Sequence, residues 1–72
     1  MQQVDVKIKT EYITLDNLLK YAGLVGTGGE AKYIISIGEV DVDGELELRR
    51  GRKIRPENVV TVGDVVIKVE AT

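Results

Sequence analysis

Arg49, Arg50, Gly51, Arg52, Lys53, Ile54 and Arg55 place five positive charges in seven residues with no acid among them. Four of the five are arginines, whose planar guanidinium groups match phosphate oxygens two bonds at a time. The chemistry this run offers is recognition of an anion rather than the making or breaking of bonds. The whole chain has a net charge of −2 from 10 basic and 12 acidic residues, so the 65 residues outside the run hold five basic and 12 acidic groups, a balance of −7. Screening over roughly 8 Å at physiological salt means that a ligand at the run senses mainly the run. A solvated surface loop ordinarily mixes its signs, whereas five like charges repel one another until an anion neutralises them.

A second locus lies upstream. Lys32 sits close to Gly28 and Gly29, whose amides can approach a phosphate with no side chain in the way. Lys20 is a flank on the outer side of the preceding helix. Taken singly, each lysine reads as ordinary surface charge, and Glu30 works against an anion at that position.

Other chemistries lack their residues. The chain has no His and no Cys, which removes the commonest general base, the thiol nucleophile, disulfides and the usual zinc ligands. No catalytic residue, metal site or cofactor is expected, and no enzymatic activity. Gly26, Gly28 and Ala31 satisfy G-x-G-x-x-A, but no strand runs directly into them, and Gly23 to Gly28 imitates half of a phosphate loop with Gly29 where its lysine belongs. Glu39, Asp41, Asp43 and Gly44 imitate the start of a calcium loop, yet its closing bidentate Glu is replaced by Arg50. Tyr12, Tyr21 and Tyr33 are the only aromatics and form no spaced ladder for stacking unpaired bases.

The elements that must hold these groups follow from periodicity. Val4, Val6 and Ile8 alternate with Asp5, Lys7 and Lys9, the period of a half-buried strand. Thr14 stands at an N-cap, and Leu15, Leu18, Leu19 and Ala22 form one helical face that Gly23 ends. Thr27-Gly28-Gly29-Glu30 spells a capping box for a second helix with Ala31, Ile34 and Ile35 inward and Gly38 as its stop. Val40, Val42, Leu46 and Leu48 then return to period 2 around an Asp43-Gly44 turn. A two-residue loop would set Val42 opposite Glu45 and Val40 opposite Glu47, so the pattern favours an odd loop with a bulge at Gly44, Val42 facing Leu46 and Val40 facing Leu48. Pro56 interrupts strand structure, Gly63-Asp64 marks a turn, and Val65, Ile67 and Val69 belong to a last strand. Seventy-two residues predict a single α+β domain, two short packed helices on a small, mainly antiparallel sheet.

In order and spacing, Ile13-Thr14-Leu15, Leu18-Leu19-Lys20, Thr27-Gly28-Gly29-Glu30-Ala31-Lys32, Gly38-Glu39-Val40, Val42-Asp43-Gly44-Glu45, Arg49-Arg50-Gly51-Arg52-Lys53-Ile54 and Gly63-Asp64-Val65 resemble the S4-type RNA-binding domain (the αL motif). The likeness is to its small stand-alone bacterial members. The resemblance covers about Ile13 to Val69 and leaves the N-terminal strand, residues 2–9, outside the common motif. It implies an S4-like domain over 1–72 that binds RNA without catalysis, around ribosomal RNA or ribosome assembly. The matching positions are Gly28, Gly29 and Lys32 at the second helix, and Arg49, Arg50, Arg52 and Lys53 after the hairpin, the residues that charge selects independently. Three departures stand out. Thr27-Gly28-Gly29 replaces the Ser and Arg residues with which many members begin helix two, Asp43 replaces the usual Asn and brings a negative charge close to the expected RNA face, and Arg55–Val62 lengthens the chain before the final strand.

The expected partner is therefore structured RNA, with ribosomal proteins as further partners, in a cytoplasmic monomer that spans no membrane. Absence of disulfides and of a long apolar stretch fits that location. The alternative is a protein-interaction module whose basic loop docks an acidic partner. A sulfur-carrier-like β-grasp protein would need a C-terminal Gly-Gly, which Glu70-Ala71-Thr72 does not supply.

Overall fold

The computed structural model describes residues 2–72. The alternating apolar residues of β1 (Gln2–Ile8) lie beside those of the last strand, β7 (Val65–Ala71), in a parallel pair that sets Val4 against Ile67 and Val6 against Val69. All remaining elements form the crossover between these two strands. They are β2 (Ile13–Thr14), α1 (Leu15–Tyr21), α2 (Gly28–Ser36), β3 (Val40–Val42), β4 (Glu45–Leu46), β5 (Lys53–Ile54) and β6 (Val59–Val62). The five-stranded sheet has the order β1-β7-β6-β3-β4, antiparallel except at β1–β7, and β2 pairs with β5 in a separate antiparallel ribbon. Two helices on a mainly antiparallel mixed sheet is the expected α+β architecture.

One face of the sheet supplies Val6, Ile8, Val40, Val42, Val60, Ile67 and Val69 to the core, and Leu15, Leu18, Leu19, Ala31 and Ile35 cover them from the helices. Both helices are too short to persist alone in water, and this shared apolar layer holds them. α1 closes with Gly23 at φ +79° and Leu24 N donating to Leu19 O at 3.0 Å, the left-handed stop expected of a glycine there. Thr27 caps α2 as expected, its Oγ1 accepting from Glu30 N at 3.1 Å, and Gly38 at φ +82° ends the helix. Thr14 occupies the N-cap position of α1, but its hydroxyl does not cap. It accepts from Asn17 Nδ2 at 2.8 Å instead, and the start of the helix is capped from elsewhere.

Two features overturn the expected arrangement after α2. The hairpin has a two-residue loop, Asp43 at φ +52° and Gly44 at φ +85°, with Val42 opposite Glu45 and Asp41 opposite Leu46. There is no odd loop, so Leu46 and Leu48 turn outward, 59% and 57% exposed, while Glu47 is left only 6% exposed with its amide donating to Val40 O at 2.9 Å. Left-handed backbone at both loop residues gives the strand twist a tight hairpin needs. Side-chain bonds then fix it: Asp43 Oδ1 accepts from Val59 N at 2.9 Å and Oδ2 from Asn58 Nδ2 at 2.6 Å. Turn chemistry thus outweighs apolar alternation, and a shift of one residue exchanges the faces of a whole strand.

The second feature is the lengthened segment before the final strand. Residues Val59–Val62 form β6, which lies between β3 and β7 and pairs with both. The segment joins the hairpin to the rest of the sheet. Its Val-Val-Thr-Val run lacks the polar alternation used for the other strands, although four β-branched residues ahead of the Gly63-Asp64 turn are themselves a strand signal.

Candidate nucleic-acid interface

The basic run folds as a turn pressed against the start of α1. Arg52 N donates to Arg49 O at 3.3 Å, and the carbonyls of Arg50 and Arg52 accept from the amides of Asp16 (3.0 Å) and Leu15 (2.9 Å). These are helix-start amides without intrahelical partners, so the loop provides the cap that Thr14 does not. With the Arg50 and Arg52 carbonyls directed to the start of α1, Arg49, Arg50 and Gly51 are exposed and Arg52 is half-buried. Arg49, Gly51, Arg52 and Lys53 line one shallow, open depression.

Glu47 organises the underside of this turn. Its Oε2 accepts from the backbone N of Arg49 at 3.0 Å and from Arg49 Nε at 3.1 Å, and its Oε1 accepts from Arg52 Nη1 at 2.7 Å and Arg49 Nη2 at 3.3 Å. The Arg49 side chain nevertheless stays 75% exposed. Hydrogen bonding from the Arg49 side chain is the main cause that holds the Glu47 carboxyl down at about 2, against burial, which pushes it upward. The same contact raises the Arg49 guanidinium above its ordinary value.

Lys53 extends the basic surface along β5, opposite Thr14. Its Nζ lies 5.0 Å from the centre of the Tyr12 ring, and Arg55 Cζ lies 5.7 Å from it, both within cation–π range. Tyr12 and Arg55 therefore border this surface, although Arg55 counts in sequence only towards the charge of the run and neither residue is among the expected contacts. Glu47 was missed as well, because strand alternation placed it on the solvent face. The signal that could have found it is the acid lying two and five residues before Arg49 and Arg52.

Gly28, Gly29 and Lys32 sit in the first turns of α2, all exposed. A Cβ at Gly28 would meet nothing within 4 Å, so its surface is open to a ligand. Lys20 is exposed in the last turn of α1. The arginine turn meets that helix at its first turn, and a seven-residue helix is about 10 Å long. The eight selected positions thus fall into a tight group, Arg49 to Lys53, and a second group at the α2 start with Lys20 on the adjoining helix end. Among the described residues, no hydrogen bond or ion pair joins the two groups.

A concavity between Pro56–Val59 and Lys68–Ala71 sets Glu57 and Glu70 against the single cation Lys68 and offers no comparable anion site. Among the described residues, no cluster of three or more His, Cys, Asp or Glu could hold a metal, and no helix is long and apolar enough to cross a membrane.

This arrangement has relatives. The probable ribosome maturation protein RlbA of Bacillus subtilis (strain 168) is 46% identical over 61 residues, spanning 85% of this chain and 78% of that protein. The solution structure of YbcJ from E. coli, described as revealing an αL motif involved in RNA binding, matches with a TM-score of 0.70 at 32% identity, over 99% of this chain and 89% of that one. The profile of the S4 domain matches residues 6–70, and the chain therefore belongs to the S4 domain family.

Proposed function

We propose that this protein is a non-catalytic binder of structured RNA, acting as a cytoplasmic monomer on ribosomal RNA or its assembling particles. Arg49, Arg50, Arg52 and Lys53 form the main phosphate clamp, Lys32 with the Gly28 and Gly29 amides forms a second contact, and Lys20 flanks it. The observation that carries this reading is the orientation of the Arg49–Arg52 turn. The Arg50 and Arg52 carbonyls are bound by the start of α1, and the turn presents the exposed Arg49 and Arg50 side chains, with half-buried Arg52 between them and Lys53, outward. Family membership and the names borne by its relatives support the same partner class. Affinity comes mainly from release of counterions, and selectivity from the shape of the RNA.

Neutralising about four phosphates gives a slope of log K against log salt of roughly −3 to −3.5. An Arg49→Ala, Arg50→Ala, Arg52→Ala variant that retains its circular dichroism spectrum is expected to bring the slope to about −1. An unchanged slope in the folded variant overturns the clamp. Ribonuclease treatment of a ribosomal fraction separates the RNA reading from docking on an acidic protein, because only the RNA complex is lost.

A further inference from the structure

We infer that Glu47 is a positioning residue for the phosphate clamp, an anion that strengthens binding to a polyanion by presetting Arg49 and Arg52. The inference deepens the RNA-binding reading and rests on it.

A carboxylate beneath a cationic site ordinarily weakens it, since each negative charge repels the phosphate as much as a positive one attracts it. Glu47 differs in where it sits and how it is used. Its side chain is 8% exposed, too deep for close approach of a phosphate. Both of its oxygens are occupied, and all four bonds they accept come from the two arginines on either side of the turn. Two of the five N–H groups of Arg49 and one of those of Arg52 are engaged this way, which leaves three and four directed elsewhere.

Orientation follows from this geometry. Bonds to Nε and Nη2 engage one edge of the Arg49 guanidinium and leave Nη1 available, while Arg52 is held through Nη1 alone. The bond from the Arg49 amide to the same carboxylate ties the backbone of the turn to the same anchor. Long arginine side chains otherwise lose rotamer freedom when they grip a ligand, and with two preset before the encounter roughly a tenfold gain in affinity results. The register of the hairpin serves this end. The register expected from apolar alternation would bury Leu46 and Leu48 and turn Glu47 to the solvent face.

The test compares the wild type, Glu47→Gln and the triple arginine variant for binding a fluorescein-labelled RNA stem-loop by anisotropy. Glu47→Gln keeps the side-chain volume and removes the charge. The inference expects about tenfold weaker binding, although the protein has become more positive. Binding as tight as wild type or tighter, the outcome of simple charge subtraction, overturns the inference while the triple variant still reports whether the clamp exists. If the triple variant binds as wild type does, the clamp itself fails, and if the wild type does not bind the stem-loop at all, the RNA reading fails. Should Glu47→Gln not fold, the wild type decides through its Arg Nε–H resonances. Those of Arg49 are expected to stay protected from water exchange when RNA is added, and their release on binding overturns the inference.

Discussion

Asp43 provides the sharpest test of how this hairpin is held. It occupies left-handed backbone at φ +52°, its amide donates to Val59 O at 2.7 Å, and its carboxylate accepts from Val59 N and Asn58 Nδ2. Replacement by Ala removes two bonds to a charged acceptor, which contribute about 1.5 kcal/mol each at the exposed end of their range. It also places an alanine in left-handed backbone at about 1 kcal/mol. The sum is about 4 kcal/mol as an upper figure and about 3 kcal/mol once water satisfies part of what is lost, equivalent to a fall in Tm of about 12–24 °C in a domain this small. Asp43→Asn keeps the tolerance for positive φ and an oxygen for Val59 N. Its amide nitrogen, however, confronts Asn58 Nδ2, and Asn58 is not free to turn over because its Oδ1 holds Arg55 N at 2.7 Å. About 1 kcal/mol is expected there. Thermal and urea unfolding followed by circular dichroism would measure both. If the two variants lose equal stability, or both stay within 0.5 kcal/mol of wild type, the account of the turn is wrong. RNA affinity is expected to be unchanged in Asp43→Asn, since the carboxylate faces the 58–59 backbone; tighter binding would mean that it repels RNA instead.

Other consequences are equally direct. Because the Glu47 carboxyl is lowered from 4.5 to about 2, its contribution to stability is fully present above pH 4.5 and is lost as the pH falls through about 2. The stability difference between wild type and Glu47→Gln, from urea unfolding at stepped pH, is expected to hold constant from pH 7 to pH 5 and then narrow; a difference independent of pH contradicts the ion pair. Leu46→Gln and Leu48→Gln are expected to stay within about 0.5 kcal/mol of wild type, whereas core leucines would cost about 2–5 kcal/mol, so calorimetry reports the register directly. Gly28→Ala meets open space at the first helical position and is expected to raise stability by about 0.4–1 kcal/mol while weakening RNA binding. Unchanged affinity in that variant would remove Gly28 from the second contact.

Much of this protein could be read from its residues alone. The period-2 runs at Val4–Ile8 and Val65–Val69, the leucine face of α1, the Thr27 capping box and the glycine stops at Gly23 and Gly38 are local signals, and each formed the element it indicates. Local periodicity suffices there because the same few residues set both the backbone preference and the face that is buried. The concentration of charge at Arg49–Arg55 was equally legible, because charge is a property of the side chains before they fold.

What lay beyond reach depends on partners distant in the chain. The β6–β7 hairpin is local, but its placement beside β3, about 20 residues earlier, is not: Val40 and Val42 pair with Val62 and Val60. Asp43 settles the register through Asn58 and Val59, 15 and 16 residues away. That register in turn carries Glu47 beneath Arg49 and Arg52, where burial of a carboxylate is tolerable only because two guanidinium groups meet it. A sequence specifies which charges exist; only the folded chain decides which of them face each other and which face out.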